Sequence, residues 1–349
     1  MKTVNVPPYK IGPNQTTFIM AEAGVNHNGM LEMARQLVEV AVQAGANAVK
    51  FQTFKAERVV SPQAPKAAYQ LETTDEAESQ LDMVKRLELS FDAFRELFAY
   101  CQQQGILFMS TPFDEDSADF LADLGVPAFK IPSGEITNLS FLAHVARKGK
   151  PMIVSTGMAY LDEVRTAVST IEKTGNRDLV LLHCVSNYPA NPADANLRAM
   201  ITMAEAFDMP VGYSDHTLGI EVSLAAVALG ACVIEKHFTL DRKLSGPDHQ
   251  ASLEPDELAA LVRGVRKVEE ALGHGRKEPA ARELEIAAVA RRSLVAAQDI
   301  PVGSTLTEGL IAIRRPGTGL PPAMLDQVVG RKVKRHIPAG TLLRLDMLL

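Results

Sequence analysis

Eight short apolar runs recur along the first 240 residues of this sequence, with helically spaced segments between them, and nothing else in the chain narrows the fold as far. The runs are 17–24, 47–54, 106–112, 128–133, 151–156, 179–186, 210–215 and 232–238. They are nearly continuous rather than alternating, as expected of parallel strands buried on both faces. The intervening segments 30–44, 161–173, 197–207, 221–229 and 255–272 repeat apolar residues at helical spacing; Leu31, Ala34, Leu37, Val38 and Ala41 show it in the first. Eight strand–helix units over about 250 residues predict a (β/α)8 TIM barrel. A doubly wound sheet competes, but no GxGxxG follows the first strand.

One connection is long. Residues 55–78 separate the second strand from a helix predicted over 81–103, and loops of that length tend to be functional. This one carries Lys66, Tyr69 and Gln70, which suits a loop folding over a substrate. The barrel is predicted over 1–272 and a polar, charged linker over 273–291. A small domain follows over 292–349, without helical period, in which IPVGSTL at 300–306 is echoed by IPAGTLL at 337–343. Two strand–turn units related by pseudo-symmetry are the expectation. At about 58 residues this domain is small for a core of its own, so it is expected to lean on a barrel.

Composition excludes several classes. The chain has 36 Lys+Arg against 42 Asp+Glu, a formal charge of −6, so no basic stripe points to nucleic acid. Its longest uncharged apolar run, 222–234, is too short to span a bilayer, and the N-terminus shows no signal-like apolar stretch. The three cysteines lack CxxC spacing and read as reduced thiols, which predicts a cytoplasmic protein.

Active sites of this fold sit at the C-terminal strand ends, and every end here is polar. The first offers Glu22, Asn26 and His27, the second Lys50 and Gln52 on one face, the third Ser110 and Thr111. The fourth and fifth offer Lys130, Ser133, Glu135, Ser155 and Thr156, and the sixth His183, Ser186, Asn187 and Tyr188. Ser214, Asp215 and His216 end the seventh strand, and Glu235, Lys236 and His237 the eighth. Two lysines in one barrel mouth need anions. They form internal salt bridges with Glu22 and Glu135, or a phosphate and carboxylate site in which neighbouring hydroxyls act as neutral donors. His216 and His237 end adjacent strands within reach of one cation, with His183 as rival ligand. Two imidazoles without thiolates make an open site with positions left for substrate oxygens. Asp248, in the loop 245–249, is either a turn-forming residue or an acceptor for substrate hydroxyls. Arg314-Arg315-Pro316-Gly317 is either a solvated turn or an arginine offered to an active site.

The ordered motifs AEAGVNHNG (21–29), VKFQTF (49–54), STPFDEDS (110–117), KIPSGE (130–135), STGM (155–158), HCVSNYP (183–189), YSDHT (213–217), IEKHFTLD (234–241), SGPDH (245–249) and RRPGTG (314–319) closely resemble the bacterial sialic acid synthase family over essentially the whole chain. The C-terminal segment resembles that family's antifreeze-like SAF domain. The resemblance implies a condensation of phosphoenolpyruvate with an N-acylated hexosamine and water, releasing phosphate and requiring Mn²⁺ or Mg²⁺. It assigns the metal to His216 and His237, and phosphoenolpyruvate to Lys50 and Lys130 with Thr111, Ser133, Ser155 and Ser214. Some members have Thr-Asn ahead of the Tyr-Pro in the sixth-strand motif; with Val185-Ser186-Asn187 here, that strand's contact falls to Ser186 or Asn187. Gln52, Glu135, Tyr188 and Asp248 match positions near the sugar. Arg315 matches an arginine that the SAF domain inserts into a partner subunit's site, which implies a homodimer. Glu22 and Glu135 are the candidate acid/base pair.

The expected acceptor is N-acetylmannosamine, giving N-acetylneuraminic acid. The alternative is 2,4-diacetamido-2,4,6-trideoxymannose, giving N,N'-diacetyllegionaminic acid, with discrimination placed in the 55–78 loop. A Schiff-base aldolase and a non-catalytic sugar- or ice-binding protein are the remaining readings; the intact Lys, Glu and His set at the strand ends counts against the latter.

Overall fold

The computed structural model describes residues 2–67, 70, 71, 74, 75 and 77–349. Two strands, β1 (Val4–Val6) and β2 (Tyr9–Ile11), precede the eight expected ones. These are β3 (Phe18–Gly24), β4 (Ala48–Thr53), β5 (Leu107–Pro112), β6 (Phe129–Ile131), β7 (Met152–Ser155), β8 (Leu179–Cys184), β9 (Val211–Asp215) and β10 (Val233–His237). They form one sheet in the order β5-β4-β3-β10-β9-β8-β7-β6, parallel at every registered pair, and β5 lies against β6 to close it. Sequence neighbours are thus spatial neighbours throughout, as a (β/α)8 barrel requires. The helices predicted over 30–44, 161–173, 197–207, 221–229 and 255–272 are present within a residue of those bounds. Glu115–Leu124 and Leu139–Ala146 complete the ring.

Strand pleat sorts the interior by height. On β3, Phe18, Met20 and Glu22 share one face, while Ile19, Ala21 and Ala23 pack against the helices. The inward residues nearer the strand starts are apolar: Phe18, Met20, Ala48, Met109, Ile153, Val180, Leu182 and Val233 form one buried cluster. The antiparallel hairpin β1–β2 adds Val4, Val6 and Ile11 to that cluster and so packs against the barrel's lower interior. Above this floor the inward residues turn polar.

The helix predicted over 81–103 is two helices, Gln80–Arg86 and Phe91–Gln104. Ser90 breaks it by capping the second helix, its hydroxyl accepting from the Ala93 amide at 3.1 Å. Before the break, the Glu88 carboxylate accepts from Lys55 Nζ at 2.6 Å and from the Ala56 amide at 3.1 Å. The long connection is therefore a strap fastened at both ends. Lys66 is tied inside it, donating to Thr74 Oγ1 and the Asp75 carbonyl; Tyr69 lies outside the described residues.

A second compact unit spans His274–Leu349. Its first part, expected to be a linker, contains the helix Ala281–Ala290. Strands β11 (Ser293–Ala296) and β12 (Ile311–Arg314) pair antiparallel. The repeated heptapeptides meet at their first residues: Ile300 and Ile337 exchange backbone hydrogen bonds of 2.8 and 3.0 Å, and both are buried. Leu294, Leu306, Val328, Val333 and Leu343 pack with them in a core internal to this unit.

Candidate active site

The polar upper half of the barrel opens into a cavity of about 400 Å³, lined by residues from most strand ends. Lys50 and Lys130 lie at its base, each almost wholly buried. Lys50 Nζ is 2.6 Å from Glu22 Oε2, its cross-strand neighbour, and 3.4 Å from Glu235 Oε1; it also donates to Thr111 Oγ1 at 2.8 Å. Lys130 Nζ is 3.2 Å from the other oxygen of Glu235. Glu235 thus bridges the two ammonium groups, while Glu22 contacts Lys50 alone. Unpaired charges here would each cost several kcal/mol.

Of the carboxylates expected to hold the lysines, Glu22 does so and Glu135 does not. Glu135 sits in the 3-10 turn Ser133–Glu135 after β6, accepts from Asn138 Nδ2 at 2.7 Å, and is not among the cavity-lining residues. Glu235 takes that place. Its signal in the sequence is the alternation Glu235-Lys236-His237: inward positions carry Glu235 and His237, while Lys236 points out to Asp215, 2.9 Å away and bonded to Ser223 and Thr217.

Burial acts differently on each group. It pushes the Glu22 carboxyl up to about 7, even against the pull of Lys50, which poises it for proton transfer near neutrality. Burial likewise raises Asp248 to about 6. Burial holds Lys130 below the ordinary lysine value despite Glu235, whereas Glu22 and Glu235 together outweigh burial at Lys50 and raise it.

His216 and His237 face each other with ring centroids 5.4 Å apart, and the Tyr188 ring lies 4.1 Å from the first and 5.7 Å from the second. His216 Nδ1 donates to the Val185 carbonyl at 2.7 Å, which fixes the tautomer and leaves Nε2 to face a ligand. Burial at His216 is outweighed by Cys184 and the Val185 carbonyl, which raise its pKa, so a metal would compete with a proton there. His237 Nδ1 is buried with no hydrogen-bond partner, and burial holds this imidazole well below its usual pKa, hence neutral. Two facing imidazoles, one oriented from behind, fit a divalent cation that takes its other ligands from substrate or water. No cluster of three or more His, Cys, Asp or Glu suited to a metal exists among the described residues, so the open two-histidine set is what the chain offers. His183 is no rival: it is on the outer face of β8 and its Nε2 bonds the Ala195 carbonyl at 2.8 Å. His27 is structural, its Nδ1 accepting from the Gly29 amide, and burial lowers it to about 3.

The expected hydroxyls gather in the same cavity, which Thr111, Ser133, Ser155, Ser186 and Ser214 all line. Ser155 Oγ is buried without a hydrogen-bond partner, a donor left open. Ser133 and Ser186 approach over Gly157, where a Cβ would stand 2.7 and 2.3 Å from their hydroxyl oxygens, so a side chain there would force both hydroxyls to move. Gln52, which donates to Glu22 Oε1 at 3.3 Å, Tyr188 and Asp248 line the cavity as well. Asn187 is exposed and does not. Arg315, in the second unit, is exposed, and its Nε donates to the Ala290 carbonyl at 3.0 Å. Among the described residues no helix is long and apolar enough to cross a membrane.

Comparison with known proteins agrees with this geometry. The sequence profile of the NeuB family matches residues 37–277, and that of the SAF domain matches residues 291–349. The chain is 50% identical to the N,N'-diacetyllegionaminic acid synthase of Legionella pneumophila over 95% of this chain and 94% of the relative. It is 48% identical to the enzyme of the same name from Campylobacter jejuni, over 94% and 99%. The N-acetylneuraminate-9-phosphate synthase of Homo sapiens is 39% identical over 93% and 90%. A crystal structure of an N-acetylneuraminic acid synthetase from Leptospira borgpetersenii, in complex with citrate, superposes with a TM-score of 0.72 at 41% identity, covering 82% of this chain and 95% of that one. The protein therefore belongs to the NeuB family of nonulosonic acid synthases, a TIM barrel followed by a SAF domain.

Proposed function

We propose that the protein condenses phosphoenolpyruvate with 2,4-diacetamido-2,4,6-trideoxymannose and water to give N,N'-diacetyllegionaminic acid and phosphate. The observation that carries the reaction class is the pair Lys50 and Lys130, buried together under open hydroxyls and beside two facing histidines. The acceptor is argued from likeness. The N-acetylmannosamine expected from sequence motifs yields to the diacetamido sugar because relatives at 50% and 48% identity are named for legionaminic acid, against 41% for the Leptospira N-acetylneuraminic acid synthetase and 39% for the human N-acetylneuraminate-9-phosphate synthase.

In this reading Lys50 and Lys130 bind the phosphate and carboxylate of phosphoenolpyruvate, and Thr111, Ser133, Ser155, Ser186 and Ser214 add neutral hydrogen bonds. C3 of the enol attacks the sugar aldehyde carbon, and the aldehyde oxygen takes up a proton. Water then adds to the cationic C2, and phosphate departs with the C2–O bond. Glu22, with a pKa of about 7, is the group suited to hold a proton at the start and exchange it during turnover. Asp248 and Gln52, which line the cavity, would orient sugar hydroxyls, and Tyr188 packs against both histidines. His216 and His237 would hold Mn²⁺ or Mg²⁺, which supplies Lewis-acid polarisation of a carbonyl oxygen when bound.

Phosphate release from phosphoenolpyruvate with Mn²⁺ tests the reading. Faster turnover with the diacetamido sugar supports it. Faster turnover with N-acetylmannosamine returns the assignment to N-acetylneuraminate, the activity named for the Leptospira structure. Release with neither sugar overturns both.

A further inference from the structure

His216 and His237 come from neighbouring strand ends, and the outer side of those ends carries a buried ion pair that takes no part in the proposed chemistry. Asp215 and Lys236 are register partners on β9 and β10, both buried, with Lys236 Nζ 2.9 Å from Asp215 Oδ2. Lys236 also donates to the Thr217 carbonyl. Besides Lys236, three donors hold Asp215. Its Oδ1 accepts from the Thr217 amide at 2.9 Å and the Thr217 hydroxyl at 2.7 Å, and its Oδ2 from the Ser223 hydroxyl at 2.6 Å. These bonds close around His216, which lies between Asp215 and Thr217, and run to the residue preceding His237. Replacing a buried ion pair by apolar residues of similar volume is often neutral or stabilising, so stability alone gives this pair little reason to stand here.

We infer that the Lys236–Asp215 pair positions the two histidines, setting the spacing at which they hold a divalent cation; the inference rests on the metal role proposed above for His216 and His237. Side chains alternate across a strand, so Lys236 on the outer face and His237 on the inner face share one stretch of β10 backbone. Lys236 ties that stretch to both sides of His216, through Asp215 before it and the Thr217 carbonyl after it. The two imidazoles face each other at 5.4 Å between ring centroids, yet they are supported unequally. His216 Nδ1 donates to the Val185 carbonyl, whereas His237 Nδ1 is buried with no partner among the described residues. The place of His237 therefore depends on its backbone, which the ion pair fixes against β9. Neither Asp215 nor Lys236 lines the cavity, so their reach into it runs through the histidines. Loss of such a partner behind a metal-binding histidine typically weakens metal binding by roughly 10- to 100-fold. With two protein ligands, no third side chain compensates for a displaced ring.

Mn²⁺ binding to the intact chain, followed by electron paramagnetic resonance of the free ion, tests this without turnover. The wild type should bind Mn²⁺ at a site that His216→Ala/His237→Ala lacks. Asp215→Asn/Lys236→Met keeps an oxygen for Thr217 and a polar partner for Ser223 but cuts the tie to the Thr217 carbonyl. It should stay folded and bind Mn²⁺ roughly 10- to 100-fold more weakly. In turnover its Mn²⁺ requirement should rise by the same factor. Its KM for phosphoenolpyruvate at saturating Mn²⁺ should be unchanged, since Lys50 and Lys130 keep their carboxylates. Should that variant fail to fold, Thr217→Val/Ser223→Ala leaves the ion pair in place and takes both hydroxyl bonds from Asp215; Mn²⁺ binding should then weaken by about 10-fold. Wild-type Mn²⁺ affinity in the folded variant, or a KM for phosphoenolpyruvate that rises as steeply as the Mn²⁺ requirement, overturns the inference. A wild type that binds Mn²⁺ no better than the double histidine variant overturns the metal role itself and the inference with it, so the two failures are distinguishable.

Discussion

Replacing Glu22 by Gln probes the site through both stability and rate. Burial carries this carboxyl from 4.5, the value of a free glutamate, to about 7, so the native state holds a proton that the unfolded chain has already released. The sign follows: Glu22 favours folding fully below about pH 4.5, and that contribution is lost as pH rises through about 7. At about 1.4 kcal/mol per pH unit the whole change is about 3 kcal/mol, and about 2 kcal/mol of it falls between about pH 5.5 and about pH 8. The amide in Glu22→Gln keeps the shape of the protonated acid and cannot titrate. Urea unfolding across that window, with chelator present to keep adventitious metal out, should show wild-type stability falling by about 2 kcal/mol relative to the variant. The pH–rate profile of the wild type should show a limb near neutrality that the variant lacks. Parallel stability curves for the two proteins would refute the argument that burial raises this carboxyl.

Four further outcomes are expected. Converting His216 and His237 to Ala should abolish metal-dependent phosphate release, and a fully active double variant would overturn the metal assignment. Gly157→Ala drives a Cβ into the Ser133 and Ser186 hydroxyls; kcat/KM should drop by about 100-fold from misplacement alone, while a wild-type value would show that the cradle yields freely. Asp215→Ala strands buried Lys236 outside the catalytic cavity and should cost about 3–5 kcal/mol in urea unfolding, whereas Asp215→Asn with Lys236→Met, which removes both charges and keeps an amide oxygen for Thr217, should cost clearly less; equal losses in both would contradict the charge argument. Mixed oligomers of Arg315→Ala and His216→Ala chains should recover activity if Arg315 serves a second subunit's site, and no recovery would place its role elsewhere.

Periodicity alone located all eight barrel strands to within two residues at either end, because a strand buried on both faces has no polar position with which to disguise itself. It also put Lys50, Lys130, His216 and His237 at one end of one barrel, since parallel strands bring all their C-terminal ends together. Other parts of the molecule needed three dimensions. Glu135 and Glu235 both follow apolar runs, but the chain leaves β6 at Ile131 and turns through Ser133–Glu135, whereas Glu235 stays on β10 at an inward position of the pleat, where a shift of one residue would reverse the face. Glu235 and Lys50 are 185 positions apart, and only closure of the barrel brings their charges within 3.4 Å. The clasp between Lys55 and Glu88 was not legible either, because both are ordinary surface-type residues whose pairing no local pattern announces. The hairpin at 4–11 leaves no sequence signature for a different reason: its strands are three residues long, too short to show a period, and they persist by packing on the barrel's lower interior. Sequence determined the elements and the side to which their ends point, because those depend on each residue's neighbours along the chain. Tertiary structure decided which charges neutralise one another and which surface faces the substrate, because those depend on neighbours across space.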